Sequence, residues 1–420
     1  MRLQSPQGPV RHARRDPRRH PLRCGTKHRH GFCGLRPGPS RTRSPHRHRA
    51  GNRRRPLLCE GRPSGALRSP SRPLTVNQGH PLPLWIRRTA RVAFVSAFLV
   101  VLAGSIVRMT GSGMGCPDWP QCFGLTIPPT EEAQVRWQPH AEYGEGRMIL
   151  ERDSLWIAPV DHLSGTSFDA DRATGLWQHY TRHDYAHFNP FHTWVEFINR
   201  LLGAFAGLPA LLLVGLSLVA GIRHRWWRPM LPALGALLAL GFVAWLGKKV
   251  VDGNLIPGSI TLHMLGALAI LSLQLLTLRK AGAAAPKLTT QSRTWIAAAA
   301  VFTLAQLVFG TQVREAVDHL VHEGVSRADW IDNLPGWWQG HRAAFWAVLG
   351  LHMLWLWPGL KAGSPTRWEW VVIAILAGQF ATGLAFGWLG MPAAAQPLHL
   401  ILAVGLVLTD SWLLGAGPRQ

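Results

Sequence analysis

From Glu196-Phe197-Ile198-Asn199-Arg200 the chain runs into Leu201-Leu202-Gly203-Ala204-Phe205-Ala206-Gly207-Leu208 and stays almost wholly apolar to Ala220. This run, 193–220, is longer than the roughly 20 residues an α-helix needs to cross about 30 Å of hydrocarbon. Seven further runs share its character: 89–108, 230–250, 258–278, 293–313, 338–358, 368–388 and 395–416. None alternates at a period of two, which argues against a transmembrane barrel. Their Gly and Ala content suits close helix packing in lipid. The fold expected is all-α, a polytopic membrane protein of eight transmembrane helices.

Basic residues orient these spans. Arg87, Arg88 and Arg91, then Arg223, Arg225 and Arg228, then Arg279, Lys280, Lys287 and Arg293, and finally Lys361 and Arg367 all fall on one side. Positive loops face the cytoplasm, so both termini are expected there and the acidic loop 109–192 outside, in a cell (inner) membrane. Lys248 and Lys249 are the exception.

The formal charge of +23 says little about this bundle. Much of it comes from residues 1–80, which are crowded with Arg, His, Pro and Gly and are expected to be a disordered basic tail. Three readings fit the tail: a binder of nucleic acid or anionic lipid, a targeting segment, or translation from an upstream start with the working chain beginning near residues 74–85. No function is assigned to it, and nucleic acid is not among the expected partners.

The spans repeat. Gly104-Ser105-Ile106-Val107-Arg108 closes the first and Gly310-Thr311-Gln312-Val313-Arg314 the fifth. Asn199-Arg200 in the second matches His341-Arg342 in the sixth, and Leu262-His263 in the fourth matches Leu398-His399 in the eighth. Two pseudo-repeated four-helix bundles, 85–280 and 290–416, account for these matches.

Ionisable groups inside a span are energetically expensive and usually serve a site. Here Glu196, Asn199, His263, His341 and His399 all lie in the outer part of an even-numbered span. Two His on facing helices can supply both axial ligands of a haem iron, and His341 with His399 makes such a pair. The first half has His263 but Asn199 opposite, with Glu196 one turn away. One ligand, an open iron face and a carboxylate suit chemistry more than electron transfer; the plainer reading is that Glu196 pairs with Arg200. Arg108, Arg200, Arg314 and Arg342 either bind haem propionates or snorkel to headgroups. His352 reads best as a buried hydrogen-bonding residue. Cys116 and Cys122 form either a structural disulfide, the default, or a thiol-exchanging pair.

These residues carry a resemblance. Arg108-Met109-Thr110-Gly111-Ser112-Gly113-Met114-Gly115-Cys116-Pro117-Asp118-Trp119-Pro120-Gln121-Cys122-Phe123-Gly124, the Glu196–Gly203 segment and the ordered histidines make residues 85–416 resemble the haem A synthase family of cytochrome oxidase assembly. The resemblance implies a haem b on His341 and His399 in the second half. It implies haem o in the first half, its ring methyl oxidised to the formyl group of haem a at Glu196 and His263. Haem O synthase would supply the substrate, and the electron donor is unidentified. Asn199 departs from the family, many members of which have His there, and the 314–337 segment lacks a second cysteine pair. A membrane b-type cytochrome and a haem chaperone are the alternatives. The Gly-rich faces would allow a homo-oligomer.

Overall fold

The structure, a computed structural model, describes residues 82–182, 187–252 and 258–415; the expectations for residues 1–80 lie outside them. Ten α-helices are present among these residues: α1 (Leu82–Thr110), α2 (Phe168–Ala173), α3 (Pro190–His224), α4 (Met230–Asp252), α5 (Ser259–Lys280), α6 (Thr290–His322), α7 (Trp330–Asn333), α8 (Trp338–Lys361), α9 (Arg367–Trp388) and α10 (Ala395–Leu414). All except the short α2 and α7 are long and apolar enough to cross a membrane, which gives the eight expected spans.

Local chemistry sets several helix ends. Asn189 caps α3 by accepting from the His192 amide, and Pro190 occupies the first turn, where its missing N–H removes no helix bond. Thr366 and Glu369 form a capping box at α9. One boundary differs from expectation: apolarity falls after residue 313, yet α6 continues to His322. Its last turns are amphipathic, with Arg314 and Asp318 paired at 2.9 Å. Val317 and Leu320 are buried with Trp330, Leu334 and Trp338.

The two halves share one pattern of neighbours. In the first, α1 packs on α3 and α5, and α4 packs on α3 and α5. In the second, α6 packs on α8 and α10, and α9 packs on α8 and α10. They meet through α1, α5, α6 and α10, around Leu268, Leu271, Leu307, Val404 and Val407.

The long loop between α1 and α3 is folded. β1 (Glu142–Tyr143) pairs with β4 (His162–Leu163), while β3 (Ser154–Ile157) lies between β2 (Met148–Glu151) and β5 (Gln178–His179), all antiparallel. Strands this short leave no periodicity to read. One apolar cluster joins Phe123, Val135, Met148, Leu150 and Leu155 to Phe197 of α3, seating this cap on the bundle.

Candidate functional site

α8 and α10 bring His341 and His399 into one cavity of about 670 Å³, within the range of roughly 300–1,000 Å³ that holds large organic ligands. Their ring centroids are 6.5 Å apart. Two metal–imidazole bonds of about 2 Å each, plus half a ring on either side, span roughly 6 Å, so an iron ion fits between them.

One ring, that of His399, is held by a hydrogen-bonding neighbour. Thr382 Oγ1 donates its one proton to the Gly378 carbonyl at 2.7 Å and lies 2.7 Å from His399 Nδ1. With that proton on the carbonyl it accepts from Nδ1–H, which would leave the Nε2 lone pair free for a metal. Gln306 Nε2 donates to the His341 carbonyl at 2.5 Å and Gln379 Nε2 to the His399 carbonyl at 2.6 Å. Each glutamine thus ties a histidine-bearing helix to its neighbour. His341 Nδ1 is buried without a hydrogen bond among the described residues. Gly310 makes room for this ring, since a Cβ there would stand 3.1 Å from His341 Cε1.

The four arginines divide. Arg108 and Arg314 line the cavity, but Asp318 pairs with both. Arg342 also lines it, stacks over Trp338 at 5.0 Å, and has no ion pair among the described residues. Arg200 is consumed elsewhere. It meets the Glu196 carboxylate at 2.5 Å and donates to the carbonyls of Asp118 at 2.6 Å and Gln121 at 3.1 Å.

Glu196 is therefore turned to the cap. Its second oxygen accepts from the Cys116 amide at 2.9 Å, so the plainer reading of a Glu196–Arg200 pair is realised. Cys116 and Cys122 are disulfide-bonded and fully buried. Asp118 accepts from the amides of Phe123 at 2.6 Å and Gly124 at 2.9 Å inside the same loop. Burial pushes its carboxyl above the ordinary range, against those amides and Arg200, which favour its charge.

Across the first half, His263 of α5 is exposed and stands opposite Gly247, where a Cβ would lie 3.6 Å from His263 Cε1. Asn199 faces Gly104, and its amide oxygen is buried without a partner. The same opposition recurs in the second half, Gly310 facing His341 and Gly383 facing His399. The structure brings together His341 and His399; it does not bring the Glu196 carboxylate to His263.

Sequence reasoning missed Thr382, Gln306, Gln379 and Asp318. Each is a polar residue in a helix with a partner remote in sequence, Asp318 pairing with Arg108 as well as with nearby Arg314. In the repeat expected from the sequence, the first-half positions matching Thr382, Gln306 and Gln379 are Leu246, Val100 and Val243.

The chain matches the family described as cytochrome oxidase assembly protein, COX15-CtaA, over residues 87–151 and 167–410. It is 26% identical over 250 residues to a protein named heme A synthase from Shewanella oneidensis, covering 58% of this chain and 62% of the relative. Proteins of the same name from Shouchella clausii and Bacillus licheniformis match at 30% over 87 residues and 29% over 80, covering 20% and 18% of this chain. The chain thus spans 62% of the first relative's length, and 29% and 26% of the other two.

Proposed function

The chain belongs to the COX15-CtaA family of cytochrome oxidase assembly proteins, and from that premise we propose that it is a haem A synthase, oxidising the ring methyl of haem o to the formyl group of haem a. The observation that carries this reading is the contrast between a cavity with two opposed imidazoles and a half that offers one.

In the second half, His341 and His399 would hold a haem b, which supplies one-electron transfer when bound. Thr382 fixes the His399 tautomer, the two glutamines hold the helices in register, and Arg342 is placed to meet a carboxylate at the cavity wall. In the first half, His263 would be the single protein ligand to haem o, with Asn199 as a weak or absent second one. Glu196, held by Arg200 and the Cys116 amide, would accept or hold a proton once it exchanges Arg200 for substrate. Haem O synthase would supply substrate, and an unidentified donor the electrons. The bundle would lie in the cell (inner) membrane with both termini cytoplasmic and the cap outside. The matching helix neighbours and glycines support a duplicated ancestry of the halves.

A second reading, a membrane b-type cytochrome without catalysis, draws on Asn199 and on the closed Glu196–Arg200 pair. Expression of the protein with a haem O synthase, in cells that make no haem a, separates the two. Chromatography and mass analysis of extracted haems should reveal haem a. Haem b with unchanged haem o, in a host where a known haem A synthase forms product, would favour the cytochrome.

A further inference from the structure

Eleven residues beyond His341 on α8 lies His352, and eleven beyond His399 on α10 lies Asp410. Eleven residues make three helical turns and about 16 Å of rise. The second pair thus repeats the first in the same seam, one tier deeper. Both side chains are 0% exposed, and His352 Nε2 stands 3.4 Å from Asp410 Oδ2. One turn away on the two helices, Val348, Leu356, Leu406 and Leu413 belong to one buried apolar cluster.

The hydrogen bonds count the protons here. His352 Nδ1 lies 2.8 Å from the Val348 carbonyl, which can only accept, so Nδ1 carries a proton. An unprotonated Nε2 facing a carboxylate oxygen would set two lone pairs against each other. The contact is favourable only with one further proton, held as carboxylic acid with neutral imidazole or as carboxylate with imidazolium. Either way the pair is neutral overall. Without that proton it would be a net negative charge buried among aliphatic side chains, which is strongly disfavoured unless a positive charge lies near.

Among the described residues of the packed helices, no other ionisable side chain competes at this depth. On the packed helices, stretches 92–107 of α1, 264–278 of α5, 294–313 of α6 and 370–388 of α9 carry none. The charged groups at the matching ends of these helices are Arg87, Arg88 and Arg91 on α1, Arg279 and Lys280 on α5, Arg293 on α6, Arg367 and Glu369 on α9, and Lys361 on α8 itself. Arg279 binds the Trp412 carbonyl at 3.0 Å, two residues past Asp410. The same eleven-residue step in the first half, from Asn199 and His263, reaches Ala210 and Gln274. Gln274 is buried with both amide atoms unpaired. Among the described residues, the eleven-residue step therefore reaches an acid–base pair beneath the tier with two histidines and not in the other half.

We propose that His352 and Asp410 form a one-proton site that compensates charge changes at the His341–His399 tier. The inference rests on the haem reading of that tier. When one electron from a small reduced carrier converts ferric to ferrous iron, one positive charge is lost there. With ferric iron in the tier, its positive charge lets the pair stand without that further proton; on reduction the pair takes it up from the aqueous phase at its nearer membrane face, Asp410 being four residues from the end of α10. On oxidation the proton returns to water.

The test is a mediator redox titration of the haem-loaded, full-length protein between about pH 6 and pH 8. The wild-type midpoint should fall as pH rises, towards a limit of about 59 mV per tenfold change in proton concentration for a one-electron couple. The slope should fall by at least about half in a His352→Leu, Asp410→Leu double variant and in the isosteric Asp410→Asn. In the wild type, reduced-minus-oxidised infrared spectra should contain a carboxyl or imidazole band that shifts in D2O and is absent from Asp410→Asn. An undiminished slope in both variants, with low-spin haem retained, would overturn the inference alone. Absence of low-spin haem from the wild type would overturn the haem reading, and the inference with it.

Discussion

The two four-helix halves have the same helix neighbours and the same glycines opposite their key side chains, yet their interiors differ position by position. Where the second half has His341, Gln306, Gln379 and Thr382, the first has Asn199, Val100, Val243 and Leu246. Where the first pairs Arg200 with Glu196, the second stacks Arg342 on Trp338. One half hydrogen-bonds the His399 ring to Thr382 and ties the backbones of both histidines to glutamines on neighbouring helices. The other leaves one imidazole without such support and ties its carboxylate to a disulfide-closed cap. Under the proposed reading, the tied pair suits a permanently ligated cofactor, and a lone imidazole in a half whose acid is held on the cap suits a substrate that enters and leaves.

The largest effect should fall on chemistry. Glu196→Gln or His263→Ala should each lower haem a formation about a hundredfold or more, measured on extracted haems, while second-half haem b persists. Undiminished product would break the assignment of reaction to the first half. Next comes stability. Glu196→Ala leaves Arg200, only 13% exposed, without its partner and should cost about 3 kcal/mol, read as a fall in Tm. Removing the disulfide with Cys116→Ser and Cys122→Ser should cost about 2 kcal/mol and loosen the cap to proteolysis, without altering the second-half haem spectrum. The smallest change compares glycines. Gly310→Ala places a methyl group against His341 and should cost roughly 1 kcal/mol and perturb the haem spectrum. Gly104→Ala meets only ordinary contact with Asn199 and should gain up to about 1 kcal/mol from helix propensity.

The spans, the facing histidines and the cysteine pair were legible because each rests on a local pattern: a long apolar run, a His at matched depth, two Cys six residues apart. The last turns of α6 were not, because amphipathic helix follows apolar helix there and only the apolar part registers as a span. The cap strands were hidden by their length. Asp318, Thr382 and the two glutamines were hidden because a polar residue in a helix does not announce a partner on another one. Asp410 was hidden for the same reason, although its eleven-residue step from His399 matches the step from His341 to His352.

The division of labour between the halves can be tested directly on purified protein containing haem b, by visible absorption and electron paramagnetic resonance. Single substitutions His341→Ala and His399→Ala should each abolish the low-spin, two-histidine signal, and His263→Ala should leave it intact. A signal that survives His399→Ala, or that disappears with His263→Ala, would contradict the account.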